Sequence, residues 1–320
     1  MHILFFGYGS HAKKIKSFCH EYFYLKEQPI YSGIKRTKSK TDIEIFHSYE
    51  ELSKKKLDID CVFITANNSH HLDIFKKCLE SKIKFIYIEK PALGVENFFK
   101  TCPIELKEHI KYIQVGYHMA YSEAFIKLRK IVKNKQFGDL IRFDFFSGHG
   151  LAFKKDFDKS WRANENFALL ETVSSHLINT SINITDLEKI YNINATSRFN
   201  EINKRKDTEH LTFQSHDETL FSLTASWGSP LEKSVKAYFS NGIWEYDFQN
   251  IIIKYPRDSF DNKGFFISPK KETNYCEFLG IKPSIFYFLE QVKENKFKKH
   301  EFNNSYLTNN LIQEIKQKIS

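Results

Sequence analysis

Two stretches in the first third of the chain, "CVFIT" (61 to 65) and "FIYI" (85 to 88), are almost wholly apolar, and an amphipathic segment of helical length separates them. A strand with one face in water alternates apolar with polar residues, whereas a strand that is apolar throughout has both faces covered. Such strands alternating with helices predict a parallel sheet with helices on both sides. In such sheets ligands bind beyond the carboxyl ends of the strands. The opening "HILFFGYGSHAKKIKSFC" supplies a further strand, a break at Gly7, and then Ala12, Ile15 and Phe18 at roughly helical spacing.

The turn at this break reads G-Y-G-S-H-A. Gly7 permits a sharp turn, Gly9 lets a pyrophosphate approach the backbone, and the small Ala12 lets helix and strand pack closely; Tyr8, Ser10 and His11 lie on the same turn. Directly after a first strand and at the start of a helix, this is the form of a dinucleotide-binding fingerprint. The next strand, "PIYSGIKR", has no acid at its end to hold an adenosine ribose. Ser32, Lys35 and Arg36 stand there instead, a hydroxyl and two cations suited to a 2′-phosphate, so NADP is the expected cofactor and NAD the alternative. Glu89 and Lys90 leave the carboxyl end of "FIYI", and a last strand, "YIQVGYH", leaves Tyr117 and His118 at the same edge.

The formal net charge of +9 comes from short lysine clusters such as "KKIK" and "KKK", without the interleaved aromatics or reading module of a nucleic-acid binder. Nucleic acid is therefore not expected as a partner, although a positive surface favours anionic ligands. The five cysteines form no CxxC pair, and the histidines of "NNSHH" have no carboxylate cluster beside them, so neither disulfides nor a metal site is expected. With no basic leader and no long apolar run, the expectation is a cytoplasmic protein without a membrane span.

Behind the glycine turn, "ITANNSHH", "YIEKPALG" and "VGYHMAYSEAF" follow in an order that resembles the glucose-fructose oxidoreductase, inositol dehydrogenase and rhizopine catabolism family, Gfo/Idh/MocA. Ala66, Asn67, Asn68 and His71 match its T-P-N-x-x-H turn, Glu89, Lys90 and Pro91 its E-K-P, and Val115 to His118 its V-G-Y-N. "KSWRANENFALLETVSSHLIN" is similar to the family segment that carries Trp-Arg and a helical histidine. The resemblance implies a Rossmann domain over residues 1–120 and an α+β domain with an open, mostly antiparallel sheet over 121–320, the latter for substrate binding and oligomerisation. It further implies a nicotinamide cofactor held by the glycine-turn residues, Ala66, Asn67, Asn68, His71, Glu89, Lys90, Trp161 and Arg162. A sugar-like substrate would lie near Lys90, Tyr117, Thr172 and His176, with Lys90 and His176 catalytic, and the assembly would be a homodimer or homotetramer.

One departure from the family pattern stands out. Many members place an aspartate four residues before the helical histidine, where one helical turn brings the two together. Here that position is Thr172, and the neighbouring Glu171 points about 100° away. The resulting expectation is a hydride-transferring oxidoreductase acting on a sugar derivative, preferably an anionic one such as a sugar nucleotide or acidic sugar of surface-glycan synthesis. A non-catalytic dinucleotide sensor that lost its proton relay, or an imine reductase of related fold, is the alternative.

Overall fold

The computed structural model describes residues 1–35, 41–187, 189–200, 205–254, 260–295 and 302–319. The chain forms two compact units: Met1–His118 with Gly280–Asn309, and Met119–Leu279 with Asn310–Ser320.

The first unit is built on six strands, β1 (His2–Phe6), β2 (Ile30–Ile34), β3 (Glu44–Phe46), β4 (Cys61–Ile64), β5 (Phe85–Ile88) and β6 (Tyr112–Val115). They pair in parallel in the order β3-β2-β1-β4-β5-β6, which is the doubly wound Rossmann order. Its helices are α1 (Ser10–Tyr22), α2 (Tyr49–Lys54), α3 (His71–Glu80), α4 (Val95–Thr101), α5 (Ile104–Lys107) and, much later in the chain, α9 (Lys282–Glu294). Because side chains on a strand alternate between faces, the apolar strands split into two cores. Leu4, Phe6, Val62, Ile64, Ile86 and Ile88 pack on one side with Leu52 of α2, Phe75 and Leu79 of α3 and Val95 of α4. Ile3, Phe5, Cys61, Phe63, Phe85 and Tyr87 pack on the other with Ala12 and Ile15 of α1 and Ile285, Phe288 and Leu289 of α9.

The place of α9 differs from the expected division at residue 120, since Gly280–Asn309 cluster with the first unit. Gln114 of β6, fully buried, donates from Nε2 to the Ser284 carbonyl and hydroxyl at 3.0 and 2.9 Å, and Lys111 Nζ donates to Asn295 at 2.8–2.9 Å. An amphipathic stripe announces a helix but not the sheet face that it will cover.

The second unit holds eight strands: β7 (Leu140–Gly148), β8 (Ile190–Asn200), β9 (Arg205–Ser215), β10 (Leu220–Ser226), β11 (Glu232–Phe239), β12 (Gly242–Tyr246), β13 (Asn250–Lys254) and β14 (Lys271–Tyr275). Their order is β14-β13-β12-β11-β7-β10-β9-β8, and every pair is antiparallel except β7 with β10. The helices are α6 (Glu123–Lys133), α7 (Trp161–Asn164), α8 (Ser175–Thr185) and α10 (Phe302–Ile319), the last divided between the units after Asn309. In β7, Phe143, Phe145 and Ser147 are buried, and Phe125 of α6 packs on Phe145. The alternate residues Arg142 and Asp144 form an ion pair at 2.6 Å, and on the neighbouring strands Glu245 of β12 pairs with Lys236 of β11 and Lys254 of β13 at 3.1 and 2.7 Å. The sheet is thus apolar on its helix side and charged on the other, as expected of an open antiparallel sheet.

At the turn after β1, Gly7 has φ +93°, and a Cβ there would lie 2.7 Å from the Ala66 backbone. A Gly7→Ala variant combines a left-handed backbone with a clash that no side-chain movement relieves, and should lose about 3 kcal/mol or more. Urea unfolding followed by circular dichroism measures this, and wild-type stability in the variant would contradict the geometry.

Candidate functional site

The carboxyl ends of β1, β4, β5 and β6 gather most of the residues singled out in the first half of the sequence. Gly7 donates its N–H to the Ile34 carbonyl at 3.0 Å, and the Thr65 hydroxyl donates to the Gly7 carbonyl at 2.9 Å, which fixes the turn from both sides. Gly9 caps α1 without any side-chain hydrogen bond. A Cβ on Gly9 would meet no atom within 4 Å. The chain itself therefore does not require glycine there, whereas a diphosphate brought against the backbone at a helix N-terminus would. Ser10 and His11 are exposed in the first turn of α1.

Tyr8 contributes only its backbone to this edge. Its ring is fully buried and its hydroxyl donates to Asp42 Oδ1 at 2.8 Å. Asp42, which also accepts from Lys16, is held down at about 2 by the Lys16 hydrogen bond foremost, with the Tyr8 hydroxyl acting in the same direction.

At the exit of β5, His11 Nε2 lies 2.9 Å from Glu89 Oε1. Burial pushes the Glu89 carboxyl up, but the hydrogen bond from His11 and the charges of His11, Lys90 and His118 outweigh it and hold the group below its ordinary range. The His11 imidazole is raised, by the Glu89 hydrogen bond first and its charge after, against burial and the charges of Lys90 and Lys14. Lys90 is half-buried beside this pair and is followed by a cis bond to Pro91.

Several expected contacts lie elsewhere. The His71 ring is buried, with Nε2 2.9 Å from the Ala66 carbonyl and Nδ1 3.2 Å from the Pro91 carbonyl. It lies between the exits of β4 and β5 with a ring nitrogen facing each carbonyl; burial lowers its pKa, and the neutral ring has one N–H to donate to one of the two. Ser32 is fully buried in β2, and its hydroxyl meets His2 Nε2 at 2.8 Å, away from the strand's end. Tyr117 is buried in the apolar core around β4 and β5 and not set on the edge. Asn67 is exposed and Asn68 half-buried in the turn before α3, and Lys35 directly follows β2 with its N–H on the Phe46 carbonyl. Arg36 lies outside the described residues.

In the second unit a π-helical turn, Leu170–Ser174, runs directly into α8. Such turns often mark functional positions. His176 is buried, and the Thr172 hydroxyl donates to the Ala168 carbonyl at 2.5 Å. Glu171 is engaged by Lys316 of α10 at 2.6 Å, so the nearest acid in sequence is already paired. Arg162 is half-buried, which lowers its pKa.

Glu209 was not among the residues expected from the sequence. Its side chain is buried on β9, Oε2 accepts from the Ser174 hydroxyl at 2.7 Å, and burial raises the carboxyl to about 7. The signal was available, because Glu209 falls on the same alternation as buried Leu211 and Phe213. Among the described residues no cluster of three or more His, Cys, Asp or Glu side chains is placed to hold a metal ion. No helix among them is long and apolar enough to cross a membrane.

Residues 26–117 match the family described as "Oxidoreductase family, NAD-binding Rossmann fold", GFO_IDH_MocA. Inositol 2-dehydrogenase of Salmonella typhimurium is 27% identical over 94 residues, 29% of this chain and 27% of that protein. The matched stretch thus spans about a quarter of the curated relative. A myo-inositol dehydrogenase structure from Corynebacterium glutamicum aligns with TM-score 0.71 at 14% identity, covering 100% of this chain and 96% of that one. A levoglucosan dehydrogenase structure in complex with NADH aligns with TM-score 0.79 at 12% identity, covering 99% and 96%. Over residues 26–117 the chain is thus similar in sequence to the Gfo/Idh/MocA oxidoreductases, and over its whole length it shares the fold of these dehydrogenase structures.

Glu209 yields a sign-definite prediction. Its folded pKa of about 7 exceeds the unfolded value, so the protonated carboxyl favours the folded state. The stabilisation is complete below the unfolded pKa of about 4.3 and is lost as pH rises toward 7, by about 3 kcal/mol over the window. Glu209→Gln, neutral at every pH, should remove this decline and unfold at higher urea than wild type near pH 8. Parallel urea melts from about pH 5 to 8 measure it, and unchanged pH dependence in the variant would show that Glu209 does not titrate in this window.

Proposed function

We propose that the chain is a nicotinamide-dependent oxidoreductase of sugar-dehydrogenase type, moving a hydride between cofactor and a hydroxyl or keto carbon of a sugar derivative. The observation that carries this reading is the joint placement, on one sheet edge, of the Gly7–Gly9 turn at the start of α1 and the Glu89–Lys90 pair at the end of β5. The names of the relatives, inositol 2-dehydrogenase and levoglucosan dehydrogenase, support a polyol or sugar substrate. An anionic one, such as a sugar nucleotide or acidic sugar used in surface-glycan synthesis, suits the net charge of +9. The bound cofactor supplies hydride chemistry.

In this reading the N–H groups of Gly9, Ser10 and His11 bind the diphosphate, and Lys35 and Arg36 bind a 2′-phosphate, which makes NADP the preferred cofactor and NAD the alternative. Lys90 holds and polarises the substrate oxygen, and His176 exchanges its proton. A second reading, a dinucleotide sensor without turnover, is favoured by one observation. The Thr172 hydroxyl, which stands where many relatives have an acid, donates to its own helix at Ala168.

Two measurements decide. A charge-assisted contact is worth about 1.5–3 kcal/mol, less where solvent screens it, so NADPH should bind at least about tenfold tighter than NADH in a fluorescence titration. Replacing Lys35 and Arg36 with Ala should erase the difference, and equal affinities in wild type would remove the NADP assignment.

The catalytic assignment is tested on a sugar or sugar-nucleotide substrate by Lys90→Met and His176→Asn. Each should lower turnover by about 10²-fold or more while cofactor binding changes far less. Full activity in both variants would exclude these roles. Absence of turnover with any sugar despite tight cofactor binding would favour the sensor.

A further inference from the structure

One residue pair, His11 with Glu89, crosses the sheet edge of the first unit. His11 sits in the first turn of α1, beside the end of β1, and its partner Glu89 leaves β5. In the sheet order β4 lies between β1 and β5, and neighbouring strands are about 4.8 Å apart. The imidazole therefore reaches over the exit of one whole strand to meet the carboxylate. A ligand laid along this edge from the N-terminus of α1 passes the ring.

We propose that dinucleotide binding is coupled to uptake of one proton, carried by His11 and held there by Glu89. This rests on the cofactor reading above and specifies how that site responds to pH. A neutral imidazole offers a single N–H, whereas imidazolium offers two. With Nε2 turned to Glu89 at 2.9 Å, only the protonated ring can also present an N–H donor, from Nδ1, to an anion at the first turn of α1. Glu89 is hemmed in. Its side chain is 13% exposed, and its carboxyl lies so close over Gly116 that a Cβ there would meet Cδ and Oε2 at 3.1 Å.

The charged groups facing the pair determine the balance in the free protein. Glu89 favours the imidazolium, Lys90 and Lys14 oppose it, and His118 acts on Glu89. A diphosphate bound at the first turn of α1 would bring negative charge near the ring and shift the balance further toward the protonated form. The proton comes from solvent, and no other bond is made or broken. Binding should therefore weaken as pH rises above the pKa that His11 has in the free protein, and the protein should take up a proton on binding in that range.

Isothermal titration calorimetry of the full chain with NADH, in buffers of different ionisation enthalpy, measures both quantities. NADH is the probe because the 2′-phosphate of NADPH has its own pKa near about 6. Between about pH 6 and about pH 8.5 the Kd should rise about five- to tenfold, and uptake should approach one proton per site at the higher pH. His11→Gln should bind with the weaker, alkaline affinity at every pH and exchange no proton. Glu89→Gln should move the onset of uptake to lower pH. Proton release, pH-independent binding, or uptake that persists in His11→Gln would overturn the proposal while leaving the cofactor reading intact. Failure of any dinucleotide to bind at any pH would overturn both.

Discussion

The turn after β1 and the exit of β4 meet backbone to backbone, with no side chain between them. Gly7 can adopt its left-handed φ, and Ala66 can lie beneath it, only because position 7 carries no Cβ. Around this contact the Thr65 hydroxyl ties the Gly7 carbonyl, and the Thr65 and Glu89 N–H groups donate to the Phe6 and Ile64 carbonyls at 2.8 and 2.9 Å. The exits of β1, β4 and β5 thus form one hydrogen-bonded rim. The start of α1 and the position of Lys90 are set by that rim and not by loops free to rearrange.

Much of this was legible in the sequence because it depends on local signals. Apolar runs of strand length and a glycine turn of fixed spacing specify a strand, a turn and a helix wherever they occur. What was not legible depends on long-range partners. The apolar residues of α9 read as one more amphipathic helix, and nothing in Lys282–Glu294 indicates the face formed by Phe63, Tyr87 and Tyr112. Ser32 reads as a strand-end hydroxyl until His2, thirty residues earlier, occupies it. Tyr117 follows a strand that ends at the rim, yet its ring turns into the core, because a side chain's face is fixed only when the strand register is.

The acids around the helical segment that bears His176 are held in different ways. Position 172 carries a hydroxyl bonded within its own helix, Glu171 is paired with Lys316, and the carboxyl set in an apolar setting is Glu209, on a neighbouring strand beneath Ser174. An acid in that place cannot be found by counting along a helix. It is found by noticing an acid on the apolar side of a strand, where it survives only with a hydrogen-bond donor or its own proton.

The return of α9 to the first unit also imposes an order on synthesis. All six strands of the Rossmann sheet have emerged by Val115, but the helix that covers Phe63, Tyr87 and Tyr112, through Phe288, begins at Lys282. At translation rates of about 5–20 residues per second, that aromatic surface waits roughly ten to thirty seconds for its cover. During this interval the nascent chain presents a sticky, half-finished sheet to its surroundings, and a ribosome that stalls within the second unit leaves it so.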